Sequence, residues 1–366
     1  MKKVLLVCLS LVAFTVCAKE RTPKNIILFI GDGMGLSQVT AAKVVKGKLE
    51  MERCPVTGLV MTWSGSSLVT DSAAAATALS TGVKTRNGVL GLTPDGQTLK
   101  NVTEYAEENG KSTGVAVTCS LTHATPAGFI VHVPSRKKDA EIAEQIAASD
   151  VDVLFGGGRD YFDPVLPELQ KKMPVAFTTE EFRKLGTPTN AAAILYPVHP
   201  PYADDRTVSL KELTEKAIEI LSQDKDGFFL MVEGSQIDWA GHKNDGTNVV
   251  SEVVDFDNAV GAGLDFAEKN GETLVIVTAD HETGGFAVLG GSVENKTVDQ
   301  TGFVYGEHTA TMVPLFACGP GSAVFSGLHD NTDIGKTMIR LIHPSEEREA
   351  GASATATNKV KWQTSE

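Results

Sequence analysis

Asp238 and His242 are four residues apart, the spacing that puts two side chains on one face of a helix. With His308 they make a set of two nitrogens and one oxygen. Such a set leaves a position open for water or substrate, as a catalytic zinc requires. Asp280-His281 falls where a strand runs out, and in a turn two adjacent side chains can face the same way. Together with Asp32, set among the glycines of Gly31-Asp32-Gly33-Met34-Gly35, they form a second group of nitrogen and oxygen donors. Glu233 and the Thr125 hydroxyl offer oxygens alone, which suit Mg²⁺. Asp71-Ser72 heads a run of small, helix-forming residues. A hydroxyl at a helix start faces unpaired N–H groups and the positive end of the helix, which is an anion site. Each piece also has a plain structural reading. Asp71-Ser72 makes an ordinary cap, Asp238 and His242 a solvated helix pair, and Ser135-Arg136-Lys137-Lys138 a wet, basic helix start. His132, His199, His329 and His343 have no motif around them and read as structural.

The elements that must position these groups alternate between strand-like and helical patterns. Apolar, β-branched runs at 25–30, 58–61, 67–70, 113–118, 151–155, 228–232, 273–278 and 313–317 read as strands. Helical patterns cover 36–46, the run from Ser72, and 99–109, closed by Gly110. Further helical patterns cover 139–148, 209–221, 248–269 and 333–342. The alternation predicts an α/β fold, a mostly parallel central sheet with helices on both faces. From 159 to 206 the pattern breaks into prolines, charges and short apolar pieces, read as an accessory insertion on that sheet. Ligands of such sheets bind beyond the carboxyl ends of the strands, where Asp32, Glu233 and Asp280-His281 all fall.

With 366 residues, 42% of them apolar, the chain can bury a large core in one catalytic domain, read as 19–343. A formal net charge of −13 argues against a sequence-independent nucleic-acid binder or a protein held to anionic lipid by charge. It also means that any phosphate site must carry its own local positive charge. Residues 1–18 read as a secretory signal, with Lys2 and Lys3 before an apolar run and a small-residue cleavage site after Ala18. Export to the periplasm or beyond follows, with no other stretch long enough to span a membrane. Cys54, Cys119 and Cys318 then remain, too few and too odd a set for a disulfide scaffold. The tail, 344–366, is polar and rich in small residues and is expected to be poorly ordered.

Taken in order, the motifs resemble those of alkaline phosphatases. The resemblance rests on Gly31-Asp32-Gly33-Met34-Gly35, Thr70-Asp71-Ser72-Ala73-Ala74 and His123-Ala124-Thr125-Pro126-Ala127, followed by Glu233, Asp238 and His242. Thr278-Ala279-Asp280-His281-Glu282-Thr283-Gly284-Gly285 and the late His308 complete it, from about residue 23 to 321. It implies a compact bacterial-type member with the family's three-layer sandwich fold. The implied activity is hydrolysis of small-molecule phosphate monoesters through a phosphoserine, by a two-zinc in-line mechanism with a third, magnesium site. Ser72 would be the nucleophile and Arg136 the grip on two phosphate oxygens. Asp238, His242 and His308 would hold one zinc and Asp32, Asp280 and His281 the other, with Asp32, Thr125 and Glu233 around magnesium. His123 stands where some members have Asp, which bears on the metal the third site prefers. Trp239 stands where some have Lys, removing a charge near the phosphate. The family also implies a homodimer. The rival readings are a metallohydrolase of phosphodiesters or sulfate esters, and a metal- or phosphate-binding protein without turnover.

Overall fold

The computed structural model describes residues 22–343, so the proposed leader at 1–18 and the tail from 344 lie outside the described residues. Strands β1 (Asn25–Gly31), β2 (Val56–Met61), β3 (Ser112–Ser120), β4 (Val153–Gly157), β5 (Val175–Ala176), β6 (Ala191–Ile194), β7 (Phe228–Gly234) and β8 (Thr273–Thr278) all join one sheet. Two short pairs leave it, β9 (Glu282–Thr283) with β12 (His308–Thr309), and the hairpin β10 (Ala287–Ser292) with β11 (Thr297–Gly302). Strands β13 (Val313–Cys318) and β14 (Gly327–Asp330) return to it. Among the described residues the sheet has ten strands in the order β14-β2-β13-β8-β1-β7-β3-β4-β6-β5, and β13 alone runs antiparallel to its neighbours.

The central strands are uniformly apolar because both faces are covered. On β7, Phe228 meets Phe266 while the next residue, Phe229, stacks on Phe129. Consecutive strand residues point to opposite faces, so the two contacts mark the two helical layers. One layer contains α1 (Leu36–Lys46), and the other α2 (Ser72–Thr81), α3 (Val102–Glu108) and α4 (Ala124–Ala127). Next along the chain come α5 (Asp139–Ala148), α6 (Arg159–Phe162), α7 (Leu166–Lys172), α8 (Thr179–Arg183) and α9 (Leu210–Leu221). After them, α10 (Gln236–His242) leads into the long α11 (Gly246–Asn270), which packs with α1 and α9, and α12 (Asn331–Ile342) packs on α2 and α3. Gly263 lets α11 approach β1, since a Cβ there would lie 2.7 Å from Phe29.

Two local readings change. Residues 67–70 are not a strand. Ser64 Oγ instead accepts the N–H groups of Ser66 and Ser67, a turn that ties up the backbone locally. The helix expected from 99 begins at Val102, because Asn101 caps it with Glu104 reaching back in a capping box. Within 159–206, β5 and β6 extend the parallel sheet itself.

Candidate active site and metal centre

The carboxyl ends of β1, β7 and β8 deliver most of the site. Asp32 follows β1, and Gly33 (φ +78°) turns the chain so tightly that a Cβ there would sit 2.7 Å from Asp238 Cα. Gly33 N–H donates to Asp280 Oδ1 at 3.1 Å, tying the β1 turn to the end of β8. β7 ends in Glu233-Gly234, and α10 begins two residues later, so Asp238 and His242 do lie one helical turn apart. The β9–β12 ribbon pairs His308 with Thr283 and brings the late histidine back beside His281. Buried Glu282 holds that ribbon to α1, accepting from Gln38 Nε2 at 2.8 Å and from the backbone of Gly285 and Phe286. Asp71 is the cap of α2, with Oδ1 taking Ala74 N–H at 3.0 Å, and Ser72 is the first helical residue, 2% exposed.

Around Asp238 three acceptors converge. His242 Nε2 and His308 Nε2 each lie 3.3 Å from Asp238 Oδ1 and 3.2 Å from one another. His242 Nδ1 meets the Gly306 carbonyl at 2.7 Å and His308 Nδ1 the Thr70 carbonyl at 2.9 Å. A carbonyl only accepts, so each Nδ1 carries a proton, and in the neutral imidazoles both Nε2 lone pairs face inward. A second group forms beside the first. His281 Nε2 is 3.1 Å from Asp280 Oδ2, 3.5 Å from Asp32 Oδ1 and 3.3 Å from Ser72 Oγ. Thr283 joins the two groups, donating to Asp238 Oδ1 and lying 3.3 Å from His281 Nδ1. The His281 and His308 rings stack at 3.5 Å.

The electrostatics call for positive charge. Asp32 is fully buried, and burial, with Asp280, Asp238 and Glu233 close by, holds its carboxyl well above the usual range. Burial pushes Glu233 up to about 7. Hydrogen bonding to Asp238 pushes the His242 imidazole up to about 9. Both Asp32 oxygens, Glu233 Oε1, Thr125 Oγ1 and Asp280 Oδ2 are buried without a hydrogen-bond partner among the described residues. Buried acceptors of this kind are costly unless a cation meets them. The donor sets therefore fit metal ions. Nitrogen and oxygen converge at the two histidine groups, and oxygen predominates at Glu233 and Thr125.

Beside Glu233 lies His123, as the sequence led one to expect, and the structure adds Cys119, whose thiol donates to Glu233 Oε2 at 3.4 Å. Arg136 is held from two sides, Nη1 3.2 Å from Asp71 Oδ2 and Nη2 3.3 Å from His123 Nε2. Burial and the Arg136 charge bring His123 down to about 3, so it is neutral. The Trp239 ring packs edge-on against His123 and His199. Sequence reasoning passed over Cys119, Thr283 and His199. Thr283 had a signal, since it lies inside the Asp280–Gly285 motif. Cys119 and His199 had none.

The family model for alkaline phosphatase matches residues 23–179 and 199–298. Alkaline phosphatase 3 of Bacillus subtilis (strain 168) is 35% identical, the match covering 87% of this chain and 89% of that one. Among solved structures, alkaline phosphatase from the Antarctic bacterium TAB5 is 39% identical and superposes with a TM-score of 0.84 over 88% of this chain and 99% of its own. A His-to-Asp mutant of that enzyme, with Mg bound in its M3 site, superposes equally well, with a TM-score of 0.84, 39% identity and the same 88% and 99% coverage.

Proposed function

This chain belongs to the alkaline phosphatase family and is a phosphomonoester hydrolase, and from that premise we propose that its reaction passes through a phosphoserine at Ser72. The observation that carries this reading is the placement of Ser72 Oγ. It lies at the start of α2 and 3.3 Å from His281 Nε2, inside a cluster of buried acceptors.

Asp238, His242 and His308 would hold one zinc, and Asp32, Asp280 and His281 a second. Thr125 and Glu233, with Asp32, would hold magnesium, and His123 and Cys119 border that third site. When bound, the ions supply Lewis-acid chemistry, neutralising phosphoryl charge and lowering the pKa of a nearby hydroxyl. The chain does the rest. The Ser72 hydroxyl gives up its proton as its oxygen forms a bond to phosphorus and the ester oxygen leaves in line, taking up a proton as the alcohol. Water then displaces the Ser72 oxygen, one of its protons restoring the hydroxyl, to release inorganic phosphate. Arg136, anchored by Asp71, presents its planar fork to two phosphoryl oxygens, and the start of α2 adds its dipole. Thr283 and the carbonyls of Gly306 and Thr70 hold the imidazoles in the tautomer that turns Nε2 inward.

Export to the periplasm or beyond and a homodimer complete the reading. Among the described residues no helix is long and apolar enough to cross a membrane. An exposed apolar strip of Leu59, Met61, Trp63 and Leu328 on β2, β14 and the adjoining turn is the face we assign to the partner copy.

The test is hydrolysis of an aryl phosphate at alkaline pH before chelation, after chelation, and after return of zinc with and without magnesium. Loss with chelator, recovery with zinc and ³²P trapped on Ser72 but not on a Ser72→Ala variant are the expected results. A fully metallated protein that binds phosphate without turnover, or that prefers diesters or sulfate esters, overturns the reading.

A further inference from the structure

A guanidinium does not give up its proton, so at the 3.3 Å contact Arg136 Nη2 donates and His123 Nε2 accepts. The single proton of neutral His123 is therefore on Nδ1, and the orientation of the ring matters. A half-turn would present a C–H to Arg136 instead of a lone pair. Among the described residues nothing polar secures the ring from behind, since His123 Nδ1 is buried without a hydrogen-bond partner there. Aromatic packing does the holding. Trp239 lies edge-on at 5.7 Å and 80°, and His199 at 6.2 Å and 90°. His199 and Trp239 also meet each other, at 4.6 Å and 66°.

His199 is a surface residue, yet its ring is not free. Nδ1 accepts the Ser120 N–H at 3.0 Å, at the end of β3 where the β3–β4 register shifts. The loop that carries it is pinned in turn. Gln236 Nε2 donates to the Pro200 carbonyl at 2.8 Å, and Arg206 Nε donates to the Pro201 carbonyl at 3.2 Å. Arg206, with its side chain 1% exposed, is itself clamped by Glu252 at 2.8 Å and Asp255 at 2.7 Å. A continuous set of contacts thus runs from α11 through the 196–206 loop and His199 to Trp239, His123 and Arg136.

We propose that His199 is a positioning residue for the phosphate grip of Arg136, acting through Trp239 and His123. The inference rests on the reading of Arg136 as the phosphate-binding group. Removing the ring frees Trp239 and His123 to turn, and Arg136 loses a fixed acceptor. Preorganisation is lost, while the groups around Ser72 are untouched.

The experiment measures the inhibition constant for inorganic phosphate together with KM and kcat for an aryl phosphate, with thermal melts as a check on folding. His199→Ala is expected to raise the phosphate constant and KM by about threefold to tenfold and to leave kcat within about twofold. His199→Phe keeps the ring edge but not the Ser120 acceptor, and should recover most of the loss. His199→Asn keeps an acceptor without the ring, and should resemble His199→Ala. Rescue by Asn but not Phe would make His199 a loop anchor and overturn the proposal. In an Arg136→Ala background, His199→Ala should change nothing further. An equal loss in both backgrounds, or no loss in the parent, also overturns it. If Arg136→Ala alone leaves the phosphate constant unmoved, the reading of Arg136 itself falls, and the proposal with it.

Discussion

Glu107 on α3 offers a quantitative test of how burial tunes this protein at the alkaline pH where it is proposed to work. Its carboxylate accepts from Thr113 Oγ1 at 2.9 Å, but burial, with Asp150, Glu104 and Asp152 nearby, pushes its pKa from 4.5 up to about 7. The folded state therefore keeps a proton that the unfolded chain has already lost between those two values. Unfolding then releases protons, so stability falls as pH rises through that window and stays lower above it. At about 1.36 kcal/mol per pKa unit the full shift corresponds to roughly 3 kcal/mol. The side chain is only partly buried, and screening reduces the effect to about 1–2 kcal/mol. Glu107→Gln keeps an acceptor for Thr113 and removes the charge. It should raise the melting temperature by roughly 1–3 °C at about pH 9 and leave it unchanged at about pH 4, below both values. Parent and variant are compared by urea and thermal unfolding at each pH. Equal midpoints at alkaline pH, or the same gain at both, would refute burial of the charge as the cause.

Arg206→Ala leaves Glu252 and Asp255 buried opposite no cation, and should cost about 3–5 kcal/mol in urea unfolding. Thr283→Val removes the hydroxyl shared by Asp238 and His281, and should weaken zinc binding about tenfold to a hundredfold in competition with a chelating dye. His123→Asp supplies a carboxylate that can accept from Arg136 and still offer an oxygen to the third site. Calorimetric titration should show magnesium binding strengthened by about tenfold. Trp239→Lys returns a positive charge near Arg136, and tighter phosphate inhibition with slower turnover is expected; unchanged values would dismiss a role for Trp239 in product release.

Much of the architecture was legible because buried parallel strands write themselves as unbroken apolar runs, as at 25–30 and 273–278. The antiparallel entry of β13, the β10–β11 hairpin and the two strands inside 159–206 were not. Their residues carry no pattern that specifies a neighbour, and strand order is a long-range property. The false strand at 67–70 shows the opposite failure, in which a local serine turn overrode residues that suit a strand.

On its own, the sequence determined which groups could do chemistry. Asp238 and His242 share a helix face through local periodicity, Ser72 stands at a helix start, and Asp32 and Asp280-His281 stand at strand ends, all consequences of spacing within a few residues. Only the tertiary structure decided what each group faces. Asp71 caps α2 and also anchors Arg136, His123 spends its Nε2 lone pair on that same arginine, and surface His199 packs against Trp239. The physical reason is that hydrogen-bond direction, tautomer and burial are set by partners far apart in the chain, brought together only when the sheet closes around them.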